Sequence, residues 1–236
     1  MDYEVMMNGN VRIGQFAPEF EAETTMGRVN LNDYKGKWLV LFSHPGDFTP
    51  VCTTEIIAFS KANTYFERLN TCLLGLSVDS NASHLAWIYE IFCKTGIRVP
   101  FPIVADRNGT IARKYGMISS DISNTETVRN VFVIDDKGIV RVILVYPMNI
   151  GRFIPEIIRI VQALQMAECS NASTPANWLQ QHPVILPLPR TFDELQARNK
   201  EIERQQNGMS WYLSFKEPER KCIEKTECEI NDKTKN

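Results

Sequence analysis

Two mostly apolar segments, WLVLFSH at residues 38–44 and TCLLGLSVD at 71–79, constrain this chain more than any other feature. Runs this short, with no polar alternation, need cover on both faces and read as interior strands. The stretch between them, residues 53–70, has apolar residues at helical spacing and a helix start at Thr53 and Glu55. Strand, helix and strand therefore follow in one unit. ASHLAWIYEIFCKTG predicts a second helix stopped by Gly96, FPIVAD a short strand and GTIARKYG a short helix. VRNVFVIDDKGIVRVILVYP reads as two strands around a DDKG hairpin, and GRFIPEIIRIVQALQMAE as a last helix with Pro155 in its first turn. This order implies an α/β fold, a thioredoxin-like mixed sheet flanked by helices, over residues 1–169.

Residues 170–236 differ in texture and are expected to form a C-terminal α+β arm. SNASTPANW is a polar linker, PVILPLPR is extended, and FDELQARNKEIERQQNG reads as a solvated helix ended by Gly208. From Arg190 onward there are ten Lys/Arg and ten Asp/Glu, too polar a mix for an independent core. The cluster MSWYLSF must then pack on the main domain or on a neighbouring chain.

Composition removes several function classes. The net charge of −2 supplies no basic surface for nucleic acid or anionic membranes. No run approaches the roughly 18 apolar residues of a membrane helix. The N-terminal MDYEVMMNGNVRIGQ has no basic start followed by an apolar stretch, so a cytoplasmic location is expected.

Six cysteines are spread through the chain without a C-x-x-C pair, and no histidine stands at metal-ligand spacing from a cysteine pair. A structural disulfide framework and a metal site are not expected. Cys72 and Cys93 fall on predicted core elements and read as small buried hydrophobes, and Cys169 simply ends a helix. Cys52 is different. HPGDFTPVCTTE places it at a helix N-terminal edge, where free backbone N–H groups favour an anion, with Thr49 three residues before it. Spacing alone leaves a reactive thiol and a buried turn cysteine both open.

PGDFTPVCTTE contains P-x-x-x-T-x-x-C, and in this it resembles the active-site motif of peroxiredoxins at Pro45, Thr49 and Cys52. TVRNVFVID is similar to the segment that carries the family's catalytic arginine, here Arg129, which without the resemblance would read as an exposed strand arginine. SHP, VPFPIVAD, ANW and SWYLSF look like the subgroup that includes mammalian 1-Cys and archaeal long-armed enzymes. The resemblance spans about Ile13 to Phe215. It implies a thioredoxin-like fold and a thiol peroxidase with no metal or prosthetic group. It also implies hydrogen peroxide and small alkyl hydroperoxides as substrates, a thioredoxin-like or other thiol reductant, and homodimers assembled into a ring. A peroxide sensor or holdase chaperone on the same scaffold is the rival reading.

Thiol acidification alone does not account for such chemistry. Lowering a thiol from about 8.5 to about 6 raises its thiolate fraction by ~30-fold at neutral pH. A Brønsted slope of about 0.4–0.5 takes back roughly tenfold. Fixed donors must instead stabilise the peroxide transition state. Thr49 Oγ, the Cys52 N–H and the Arg129 guanidinium are the candidates, with Pro45 shielding the pocket. His44 is either a partner for nearby backbone or a substrate-shaping group. Glu55 completes the helix start or pairs with arginine, and Arg152 is a second site arginine by resemblance.

Two departures stand out. The region matching the lipase-like G-x-S-x-G of mammalian relatives reads YKGKWLVLF, so phospholipase activity is not expected. Gly208 and Ser214 stand where archaeal relatives carry arm cysteines, and Cys222 and Cys228 follow later. The charged surroundings of Cys222 and Cys228 predict solvent-accessible thiols. Either would resolve the Cys52 sulfenic acid across a dimer, or an external thiol would act directly in a 1-Cys route.

Overall fold

The computed structural model describes residues 11–226, which fall into two compact units parting between Ile154 and Pro155. The expected boundary at residue 169 lies at the far end of a helix that compactness groups with the second unit.

In the first unit, seven strands among the described residues form one sheet: β1 (Glu21–Thr24), β2 (Gly27–Asn30), β3 (Trp38–Ser43), β4 (Thr71–Ser77), β5 (Ile103–Ala105), β6 (Arg129–Ile134) and β7 (Val140–Tyr146). Their order is β2-β1-β5-β4-β3-β6-β7. β4 runs parallel to β3 and β5, while β6 pairs antiparallel with β3 and β7. This is the mixed, thioredoxin-like sheet expected. The β1–β2 hairpin is an addition that sequence reading did not anticipate; its strands are short and largely exposed, so they lack an apolar period.

Helices α1 (Pro50–Arg68), α2 (Asn81–Thr95) and α3 (Thr110–Lys114) connect these strands. Every residue of β3 and of β6 is buried, as the apolar runs require. Leu39 and Leu41 pack with Leu74, Leu76, Phe132 and Ile134 on one sheet face. On the other face Phe42 stacks on Phe59 of α1 at 4.1 Å. α2 ends at Gly96, whose φ of 72° closes the helix in the left-handed region, as its sequence implied.

The second unit contains α4 (Ile154–Ser170, from Pro155 onward), α5 (Phe192–Gln205), α6 (Arg220–Thr226), and a small sheet of β8 (Val184–Ile185), β10 (Leu213–Lys216) and β9 (Gly208–Ser210). α5 has no buried residue and starts at Thr191, whose side chain accepts from the Glu194 N–H. It ends at Gln206 (φ 51°) rather than at Gly208. Gly208 instead opposes Ser214 in the bulged β9–β10 hairpin. A Cβ at Gly208 would sit 2.7 Å from the Leu213 carbonyl oxygen and 2.8 Å from Ser214 Cα.

The arm has its own small core of Met166, Trp178, Val184 and Cys222. Cys222 is bonded to Cys169, 53 residues away in sequence. Two expectations are therefore corrected. Cys169 is a disulfide partner, and Cys222 is fully buried rather than an accessible thiol, because α6 turns it into the apolar cluster. Cys228 lies outside the described residues.

Candidate active site

α1 begins three residues earlier than its periodicity suggested. Pro50 needs no N–H partner in a first turn and already holds a helical φ. Cys52 therefore lies inside the first helical turn. Its amide is among the N–H groups that have no intrahelical acceptor. Thr49 occupies the N-cap in an extended conformation, but its hydroxyl does not cap the helix; Oγ1 donates to the Gly46 carbonyl at 2.9 Å. Pro45 is buried beneath the turn, and Phe48, at φ 56°, is exposed on it.

Cys52 has no solvent exposure. Arg129, the first residue of β6, is almost as buried and donates from Nη1 to Cys52 Sγ at 3.3 Å and to Glu55 Oε2 at 2.6 Å. Its Nε and Nη2 are held by the Met148 carbonyl at 2.9 and 2.6 Å. Glu55, one turn beyond Cys52, also takes Arg152 Nη2 at 2.7 Å, and the Arg152 amide and Nε at 2.8 Å each. Arg152 Nη1 donates to the carbonyls of Ser43 and Asn130 at 2.9 Å, and the guanidinium lies over Phe42 and Phe59. Burial pushes the Glu55 carboxyl up, but the bonds and charge of Arg152, then the charge of Arg129, outweigh it and hold the group below its usual range. Two guanidiniums against one carboxylate leave one uncompensated positive charge beside Cys52.

Behind the turn lies a second polar group. Asp47 Oδ1 faces His44 Nε2 at 3.1 Å, and both Asp47 oxygens face His84 Nδ1, at 3.0 and 2.9 Å. Burial would raise the Asp47 carboxyl, but its bonds to the two histidines hold it far below the ordinary carboxylate range. Burial lowers His44 despite the Asp47 contact, so its ring is neutral, with Nε2–H donating and Nδ1 buried without a hydrogen-bond partner. His44 thus serves Asp47 with its ring, while its carbonyl accepts from Thr127 Oγ1. His44, Asp47 and His84 are also the one trio at metal-ligand spacing among the described residues. Hydrogen bonding within the trio already accounts for the arrangement.

The structure thus brings Pro45, Thr49, Cys52, Glu55, Arg129 and Arg152 together, with His44 alongside. Sequence reading missed Asp47, His84 and Trp87. The available signal was a histidine on the apolar face of α2, which by itself reads as an ordinary core residue. Cys93, expected in the core, is exposed on α2, and Cys72 is half-buried.

Comparison with known proteins agrees with this geometry. The profile of the AhpC/TSA family matches residues 13–143. Peroxiredoxin 2 of Caldanaerobacter subterraneus subsp. tengcongensis is 54% identical over 205 residues, covering 87% of this chain and 92% of that protein. The yeast mitochondrial 1-Cys peroxiredoxin structure superposes with a TM-score of 0.75 at 37% identity, covering 88% of this chain and 99% of that one. The reduced 2-Cys peroxiredoxin of Plasmodium vivax gives 0.69 at 37% identity, covering 74% and 93%. The chain belongs to the AhpC/TSA family of peroxiredoxins, with relatives of both the 1-Cys and 2-Cys kinds. It is a thiol-dependent peroxidase that works through a reactive cysteine. No helix among the described residues is long and apolar enough to cross a membrane.

Proposed function

We propose that Cys52 is the peroxidatic residue of a long-armed peroxiredoxin that reduces hydrogen peroxide and small alkyl hydroperoxides. The carrying observation is the single Arg129 Nη1 shared by Cys52 Sγ and Glu55 Oε2. The Cys52 thiolate attacks one peroxide oxygen. The O–O bond breaks, an S–O bond forms, and the departing oxygen takes a proton to leave as water or alcohol, with Cys52 left as sulfenic acid. The Cys52 N–H and Arg129 donate to the two peroxide oxygens as negative charge grows on the leaving one, and Thr49 Oγ1 turns its proton from the Gly46 carbonyl to the bound peroxide. Pro45 keeps water from the pocket. Glu55 orients Arg129, and Arg152 anchors Glu55.

Recycling falls to an external thiol, thioredoxin-like or otherwise. Commitment of Cys222 to Cys169 supports that reading over resolution by Cys222, and Cys228 is the remaining internal candidate. Residues 170–236 act as a dimerisation arm, and dimers assemble into a ring in the cytoplasm. Cys52→Ser, which is close in volume, should abolish peroxide turnover with dithiothreitol as donor while leaving the circular dichroism spectrum unchanged. Residual activity above a few per cent of wild type refutes the assignment. One equivalent of peroxide given to wild type and to Cys228→Ser separates the routes. A dimer band on a non-reducing gel that disappears in the variant would make Cys228 the resolving residue.

A further inference from the structure

His84 is fully buried on α2, and both of its ring nitrogens face groups that only accept. Nδ1 meets the two Asp47 oxygens, and Nε2 meets the Val104 carbonyl of β5 at 3.2 Å. A neutral imidazole has one N–H and would set a lone pair against one of these oxygens. Nδ1 stands nearer its oxygens than Nε2 does, so the ring is anchored chiefly on Asp47. His44, 6.0 Å away between ring centroids, supplies one further N–H to the same carboxylate.

Asp47 sits in the middle of the turn that carries Pro45 and Thr49. Its own amide donates to Asp79 Oδ2 at 3.0 Å, and Ser77 Oγ holds that oxygen at 2.7 Å. Three residues along α2 from His84, Trp87 Nε1 donates to Thr53 Oγ1 at 3.2 Å, and Thr53 Oγ1 donates to the Thr49 carbonyl at 2.8 Å. Trp87 also lies against the His44 ring at 5.2 Å. One turn of α2 therefore grips the catalytic turn and the start of α1 at two points, at Asp47 through His84 and at Thr53 through Trp87.

We propose that His84 is a positioning residue for peroxide reduction: through its contact with Asp47 it fixes the 44–49 turn so that Thr49 and Cys52 face one volume. This rests on the reading of Cys52 as the peroxidatic residue. His84 touches neither sulfur nor substrate, so its effect is on alignment, where a shift of about 1 Å can cost 100-fold.

The two amide substitutions divide its contacts. Asparagine places an N–H where Nδ1 stands, toward Asp47; glutamine places one where Nε2 stands, toward Val104. Single-turnover oxidation of Cys52 by hydrogen peroxide, followed by stopped-flow tryptophan fluorescence, should slow about 100-fold in His84→Ala. His84→Asn should recover to within about tenfold of wild type, and His84→Gln should stay with alanine. Nitrogen-15 NMR of the three histidines should show one ring whose Nδ1 proton is held in a hydrogen bond, absent from His84→Asn. Asn and Gln variants that are equally impaired, an alanine variant within twofold of wild type, or a His84 ring without a hydrogen-bonded Nδ1 proton would each overturn the proposal. If His84→Ala does not fold, the Asn and Gln pair still decides. Peroxide turnover by Cys52→Ser would instead overturn the reading of the site, whatever the His84 variants do.

Discussion

Cys52 and Cys222 are equally inaccessible, each with 0% exposure, yet their surroundings have nothing in common. Around Cys52 stand Arg129, Glu55 and, one contact further, Arg152, all fixed by hydrogen bonds. Around Cys222 stand Met166, Trp178 and Val184, with its sulfur already joined to Cys169. Burial therefore does not decide what a sulfur does. Excess positive charge suits Cys52 to an anion and a developing negative charge. The apolar pocket suits Cys222 to a neutral bond that ties α6 to α4 within the second unit.

The charge balance at Cys52 is the sharpest point of contrast, and Glu55→Gln attacks it directly. Two buried guanidiniums would be left without their carboxylate, at a cost of about 3–5 kcal/mol in unfolding free energy. The deficit should depend on pH. Glu55 is held below its ordinary 4.5, so its contribution is fully present above that value and fades as pH falls through the lower, folded-state value. Urea melts at pH 7 and at successively lower pH should show the gap between wild type and variant closing.

The arm should answer differently. Replacing both Cys169 and Cys222 by serine frees a loop of 53 residues, worth about 4 kcal/mol on the chain-entropy argument. No titrating group is removed from the disulfide, so the deficit should be the same at pH 5 and pH 7. The single-turnover peroxide rate should stay within about twofold. A rate that collapsed with the disulfide would break the separation between the two sulfur sites.

Arg129→Ala should slow Cys52 oxidation by about 100–1000-fold, or roughly 2.7–4 kcal/mol, while Thr49 and the backbone donor continue to act. An unchanged second-order rate constant would reduce Arg129 to a structural partner of Glu55. The smallest effect belongs to Cys93→Ser. Its exposed side chain packs on no core, so stability should move by less than about 0.5 kcal/mol and peroxide reduction should not change.

Much of this was legible in the chain. The runs at 38–44 and 71–79 became β3 and β4, the DDKG hairpin became β6 and β7, and Gly96 ended α2, because those signals are local and mutually consistent. Pro45, Thr49 and Cys52 share one turn, so their juxtaposition follows from spacing. Arg129 and Arg152 reach Glu55 across 74 and 97 residues, and only topology brings them there. The Cys169–Cys222 pair fails for the same reason. Pairing over 53 residues is a fact of tertiary approach, and the charged sequence around Cys222 concealed that a seven-residue helix turns one sulfur inward. His84 escaped because an isolated core histidine shows its partners only when the loop at Asp47 is folded against it.

Gly208 limits which side chains the arm can carry. It occupies one of the positions where long-armed relatives are expected to carry a cysteine, and here even a methyl group would collide with the Leu213 carbonyl and Ser214 Cα. A cysteine introduced at Gly208 would have to open the β9–β10 hairpin before its thiol could be of any use. While that hairpin keeps its register, this position cannot take a redox cysteine by a single substitution. A redox cysteine would be more readily accommodated in this arm at another position than at Gly208.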